Sequence, residues 1–132
     1  MKSRAAQRSV RVVVIDDDEF EREFLVDLLR NAGFDVSSLS SVFGVTNHLI
    51  NEGVEVVVLD VMMPSIRGDK LAALFRKNPA LPDLRVVLVS SLPEAEIAAL
   101  MEQVQVDAFV AKANVRSDLA GVIASVLAGP IP

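Results

Sequence analysis

Val10-Arg11-Val12-Val13-Val14-Ile15-Asp16-Asp17-Asp18 runs a nearly unbroken β-branched segment straight into three carboxylates. Such a segment reads as a strand covered on both faces, as strands of parallel sheets are. The same arrangement returns downstream. Val54-Glu55-Val56-Val57-Val58-Leu59 ends on Asp60, Arg85-Val86-Val87-Leu88-Val89 on Ser90 and Ser91, and Ala108-Phe109-Val110-Ala111 on Lys112. In a parallel α/β sheet the C-terminal strand ends share one edge, and ligands bind in the crevice there. Asp16, Asp17, Asp60 and Lys112 are thereby expected to meet as carboxylates and an ammonium with room for a cation, a site suited to handling phosphate.

Between these strands the apolar spacing changes to the helical period. Phe20, Phe24, Leu25, Leu28, Leu29 and Ala32 form an apolar face ended by Gly33, with Phe20, Phe24 and Leu28 read as core. Phe34 to Ser40 is a more polar strand suited to a sheet edge. Ser41 to Glu52 reads as a helix closed by Gly53 and weakened by Gly44. Pro64 and Gly68 hold a loop before a short helix carrying Leu71, Leu74 and Phe75. Pro93 opens another, with Ile97, Leu100, Met101 and Val104 on one face. Leu119, Val122, Ile123, Val126 and Leu127 stripe the last helix, which Gly129-Pro130 stops. Strands and helices in strict alternation predict βαβ units with right-handed crossovers.

The chain has 132 residues, which suits one domain. The expected division is a flexible tail over 1–9, the domain over 10–128 and a short tail over 129–132. A net charge of −5 gives no basic footprint, and aromatics at 5%, all Phe, give no base-stacking platform. Nucleic acid is therefore not an expected partner. The absence of cysteine excludes disulfides and thiolate metal sites and fits a reducing compartment. No apolar run approaches the roughly 18–20 residues of a spanning helix, and Val10 to Ile15 is too short and too quickly acidic for a signal peptide. A cytoplasmic protein without membrane insertion is the expectation.

The motifs Ile15-Asp16-Asp17-Asp18, Leu59-Asp60-Val61-Met62-Met63-Pro64 with Gly68, Val89-Ser90 and Phe109-Val110-Ala111-Lys112 follow in order. On these residues the chain resembles the receiver domains of two-component response regulators, in the single-domain, chemotaxis-regulator-like form, over nearly its whole length. The resemblance implies a flavodoxin-like (βα)5 fold, with a five-stranded parallel sheet of order 2-1-3-4-5 and helices on both faces. It implies that Asp60 accepts a phosphoryl group from a sensor histidine kinase or phosphotransfer protein. By the same resemblance, Asp17 and Asp60 ligate Mg²⁺ (or Mn²⁺), Asp16 acts through a water, and the Met62 backbone carbonyl is a further ligand. Lys112 pairs with the phosphoryl oxygens and Ser90 turns toward them. Phe109 moves into the space behind Ser90, and the surface of helix four, strand five and helix five changes for a downstream protein target. Such a domain catalyses only its own phosphorylation and dephosphorylation, and works as a monomer or a phosphorylation-dependent dimer.

The chemistry of these residues agrees with that role. A carboxylate can attack phosphorus to form an acyl phosphate, and crowded carboxylates call for a divalent cation with oxygen ligands. The chain departs from the family pattern after the lysine, where Ala113 replaces a proline that usually follows a cis bond. A non-proline cis bond costs about 3–4 kcal/mol, so a trans bond is expected at Lys112–Ala113, with a shifted entry of the lysine. Arg67 adds charge near the acceptor. Apolar Met62 and Leu92, at positions that tune phosphoryl lifetime in the family, imply a longer-lived acyl phosphate. Two other readings compete: a degenerate receiver that binds protein partners without phosphate, and a small phosphohydrolase of the haloacid-dehalogenase kind. The latter wants a second Asp two residues after the nucleophile, where Met62 stands. His48 reads as a solvated helix residue.

Overall fold

Successive side chains on a strand point to opposite faces, so an unbroken β-branched run needs a helical layer on each side. The computed structural model, which describes residues 9–129, provides both. Apart from Ser9 and Gly129, the expected tails lie outside the described residues. The strands are β1 (Arg11–Ile15), β2 (Asp35–Leu39), β3 (Val56–Asp60), β4 (Arg85–Ser90) and β5 (Ala108–Ala111). They pair in parallel in the order β2-β1-β3-β4-β5. The helices are α1 (Glu19–Asn31), α2 (Val45–Asn51), α3 (Gly68–Lys77), α4 (Glu94–Gln103) and α5 (Val115–Ala128), with a short 3-10 turn over Lys112–Asn114. The expected flavodoxin-like architecture is therefore present, with the polar second strand at the sheet edge.

One face of the sheet presents Val13, Ile15, Val57, Leu59, Val86 and Leu88 to Leu49 of α2 and to Leu71 and Phe75 of α3. The other presents Val12, Val14, Val56, Val58, Val87 and Val89 to Leu25 and Leu29 of α1 and to Leu119 and Ile123 of α5. Burying each of these side chains contributes about 1.5–3 kcal/mol, which is what holds the strand ends in register.

Local expectations needed correction at three helices. Phe20 is 85% exposed, while Leu25, Val26 and Leu29 are the buried residues of α1. Phe20 and Leu29 are nine residues apart, about two and a half turns at 3.6 residues per turn, so they lie on opposite faces. The second helix starts at Val45 rather than Ser41, because Gly44 takes a left-handed φ of 71° as its N-cap. Within Glu94–Gln103, helix α4 has no buried side chain; of its expected face, Ile97 and Leu100 are half-buried, Met101 is exposed, and Val104, just past its end, is buried in the core. His48 is half-buried rather than solvated, its Nε2 lying 3.2 Å from Ser37 Oγ on the edge strand.

The register fixes where the polar strand ends fall. Ile15 is level with Leu59, Asp60 with Val89, and Ser90 with Ala111. Asp16 and Asp60 are thus level, with Ser90 one residue and Lys112 two residues further along the same edge. At the opposite edge, Asp107 leads into β5 and meets Arg76 of α3 and Arg85 of β4.

Candidate functional site

The strand-end polar groups are withdrawn from solvent. Asp16, Asp60 and Ser90 are 1%, 4% and 0% exposed. Asp16 Oδ1 accepts from the Asp18 amide at 2.9 Å, and Arg22 Nη1 donates to the Asp16 carbonyl at 2.8 Å. Asp16 Oδ2 is buried without a hydrogen-bond partner. Asp60 Oδ1 accepts from the Met62 amide at 3.2 Å, and Lys112 Nζ lies 3.5 Å from that oxygen. Ser90 Oγ accepts from the Leu92 amide at 3.0 Å.

Peptide bonds among the described residues are all trans, Lys112–Ala113 included, and the lysine still reaches Asp60. Phe109 is half-buried on β5 and lines a cavity of about 590 Å³ with Leu92, Ile97, Asn114, Asp118 and Val122. Met62 has its side chain half exposed beside the site. Arg67 directs its Nε to Asp69 Oδ1 at 3.0 Å.

Carboxylate oxygens of Asp16, Asp60 and Glu21 all lie within 4.8 Å of one another. Asp17 is exposed and its carboxylate is outside that trio. Glu21 was invisible as a site residue because Asp18-Glu19-Phe20-Glu21 reads as a capping box, in which the acid at the third helical position reaches back to the N-cap amide. Half of that pattern forms: Asp18 Oδ1 accepts from the Glu21 amide at 3.0 Å. The Asp18 amide, however, is taken by Asp16, and the Glu21 carboxylate instead receives Lys112 Nζ at 2.7 Å.

Burial pushes the Asp16 carboxyl up from 3.8 to about 7; the Asp18 amide opposes the rise, and the charges of Asp60 and Glu21 add to it. Burial acts to lower Lys112, but the Glu21 hydrogen bond and the charges of Asp60, Glu21 and Asp16 outweigh it, so its pKa rises above 10.5. An orphaned buried carboxylate oxygen beside two more carboxylates is a donor set for a hard divalent cation, and all-oxygen ligation suits Mg²⁺ or Mn²⁺.

Gly68 opens α3 directly against the backbone of Asp60 and Val61. Its amide donates to the Val61 carbonyl at 2.9 Å. A Cβ there would sit 2.3 Å from the Asp60 carbonyl oxygen and 3.0 Å from Val61 Cα. Gly68→Ala is therefore expected to destabilise the fold by about 1–3 kcal/mol through overpacking and to displace the Asp60 backbone. Urea unfolding checks the first effect, and amide NMR shifts at Asp60 and Val61 the second. Wild-type stability in the variant would refute the close approach.

Three comparisons bear on this geometry. A family model described as the response regulator receiver domain matches residues 12–124. The sensory/regulatory protein RpfC of Xanthomonas campestris pv. campestris is 30% identical over 126 residues, which is 94% of this chain and 17% of that protein. Protein PilG of Pseudomonas aeruginosa is 27% identical over 114 residues, covering 86% of this chain and 84% of PilG. The chain spans about a third or less of the length of several curated relatives. Among solved structures, the chemotaxis protein CheY4 of Vibrio cholerae matches with a TM-score of 0.81 at 18% identity, over 91% of this chain and 100% of that one. That likeness is one of fold.

Proposed function

Since the chain belongs to the response regulator receiver domain family, the signalling modules of two-component systems, we propose that it accepts a phosphoryl group on Asp60 from a histidine kinase or phosphotransfer protein. The observation that carries this reading is the buried Asp60 carboxylate facing Lys112 Nζ at 3.5 Å, beside the unsatisfied Asp16 oxygen.

An Asp60 oxygen forms a bond to phosphorus as the donor's P–N bond breaks, and the electron pair leaves on the imidazole nitrogen. Such transfers depend on positioning and charge neutralisation. A Mg²⁺ or Mn²⁺ ion, when bound, supplies positive charge that offsets the carboxylates and the incoming phosphoryl oxygens. Asp16 and Asp60 would hold it, with Asp17 and the Met62 carbonyl completing the set that the family pattern implies. Lys112 donates to the phosphoryl oxygens as a point charge. Ser90 Oγ, which accepts from the Leu92 amide, turns its O–H to donate to a phosphoryl oxygen.

The output follows from packing. Helix α4 has no buried side chain, and a cavity separates Leu92 and Ile97 from Phe109 and Val122. Movement of Ser90 leaves Phe109 room to shift inward, and α4 can follow at small packing cost, which alters the α4-β5-α5 surface for a protein partner. A ligand shifts such an equilibrium only by its differential affinity for the two states, and contacts to charged groups at about 1.5–3 kcal/mol each are of the needed size. Among the described residues, no helix is long and apolar enough to cross a membrane. The working place proposed for the domain is the cytoplasm.

Intact mass after incubation with Mg²⁺ and acetyl phosphate tests the reading. One phosphoryl adduct is expected, acid-stable and base-labile, and it should be absent from Asp60→Asn. A folded protein that takes up no phosphoryl group, and that also fails to bind beryllofluoride, would instead be a receiver that engages partners without phosphate.

A further inference from the structure

Among the described residues Lys112 has two carboxylate partners, and they are unequal. Its Nζ is 2.7 Å from Glu21 Oε2 and 3.5 Å from Asp60 Oδ1. The closer partner is not a strand-end residue: it comes from the first turn of α1, directed there because Asp16 has taken the capping amide. We propose that Glu21 is a positioning residue that holds Lys112 in competition with the phosphoryl group, drawing the ammonium toward α1 and away from Asp60. This inference rests on Asp60 being the acceptor and adds a residue that regulates how readily it is filled.

The geometry supports competition rather than assistance. A carboxylate at hydrogen-bond distance from the ammonium occupies one of its three donors with a charge-assisted bond. Glu21 also lies within 4.8 Å of the Asp60 carboxylate, so its negative charge faces the place where phosphoryl oxygens would arrive. Around this pair lie Phe24, Leu25, Val89 and Val115, lining a cavity of about 180 Å³ with Asp16. Their apolar walls limit screening of the contact.

The side chains of Lys112 and Glu21 are 27% and 40% exposed, so the hold is of the partly screened kind, and its release is expected to tighten binding roughly fivefold. That exposure also means that substitution at Glu21 does not threaten the core.

The test is the dissociation constant for beryllofluoride, a phosphoryl mimic, in saturating Mg²⁺. The chain has no Trp or Tyr, so binding is followed by NMR rather than by intrinsic fluorescence. Glu21→Gln is expected to bind the mimic roughly fivefold more tightly than wild type. Glu21→Asp, which keeps the charge but is one methylene too short for the contact, should also bind more tightly, by a smaller factor. Wild type that binds, with Glu21→Gln equal or weaker, overturns the competition and leaves the acceptor reading intact. Glu21→Asp behaving as wild type while Glu21→Gln tightens would assign the effect to charge alone and overturn the hold on Lys112. No binding by wild type, together with no phosphoryl adduct, would bring down the acceptor reading and this inference with it.

Discussion

Asp107→Ala is expected to destabilise the protein by about 3–5 kcal/mol, a large part of the about 5–15 kcal/mol that holds a domain folded. The Asp107 side chain is only 4% exposed and serves three partners at once. Its Oδ2 accepts from the Val86 amide at 2.8 Å and from Arg76 Nη2, and its Oδ1 lies 3.3 Å from Arg85 Nη1. The two arginines also hold backbone: Arg76 donates to the carbonyls of Gln105 at 2.7 Å and Leu84 at 2.5 Å, and Arg85 to that of Gly129 at 2.5 Å. One carboxylate therefore ties α3, the start of β4 and the entry to β5 together. Removing it takes a shared, nearly buried carboxylate from two arginines and an acceptor from the Val86 amide, and breaking a buried ion pair by deleting one partner is the costly case. Asp107→Asn keeps an acceptor for the Val86 amide and should lose less. The network sits at the sheet edge away from Asp60, so folded Asp107→Ala should still take up phosphate. Urea unfolding measures the loss, and a drop below about 1 kcal/mol would mean that the network behaves like an exposed ion pair.

Without a divalent cation, the protein should become less stable as pH rises from about 4 to about 7. Folded Asp16 keeps its proton up to about 7, against 3.8 as the ordinary value. Between those two values the folded state binds more protons than the unfolded one, so raising the pH favours unfolding. Above about 7 the group is ionised in both states and its contribution levels off. Three pH units at about 1.4 kcal/mol each put this group's effect on the order of 4 kcal/mol. Lys112 stays charged throughout the window, its pKa being raised above 10.5. A cation binds the ionised carboxylates, so Mg²⁺ should stabilise the protein far more at about pH 8 than at about pH 5. Asp16→Asn should remove most of the slope and stabilise the cation-free protein at neutral pH, an example of stability given up for a site. Denaturant midpoints with chelator and with Mg²⁺ across this range provide the measurement. A flat profile in chelator, the same in Asp16→Asn, would show that the site carries no such burden.

The sheet was legible because its signal is redundant. Each central strand repeats β-branched residues on both faces, which only a doubly covered parallel sheet can bury, and each ends on a polar residue. Helix faces were less legible. Of the expected apolar face of α1, Leu25 and Leu29 are buried and Phe24 and Leu28 pack half-buried against the core, but Phe20 points to solvent and Val26 takes a core place instead. Apolar content marks which faces are available, and packing against α5 and the sheet chooses among them. The left-handed Gly44 cap shortened α2 in the same way, through a backbone conformation that composition alone does not specify.

By itself, the sequence determined the parallel sheet, its edge strand and the convergence of Asp16, Asp60 and Lys112, since strand ends in one register must share one edge, whereas Asp17, expected with them, is exposed and stands outside the carboxylate trio. Only the tertiary structure decided which carboxylate meets the lysine. Glu21 carries a local capping signal, and its diversion to Lys112 needs the Asp18 amide to be taken by Asp16 and residues 91 positions apart to approach. The Arg76, Arg85 and Asp107 network is of the same kind. Local pattern can place a charge on a surface, but its partner is chosen by how distant elements pack, because a charge withdrawn from water is stable only where another chain segment supplies its complement.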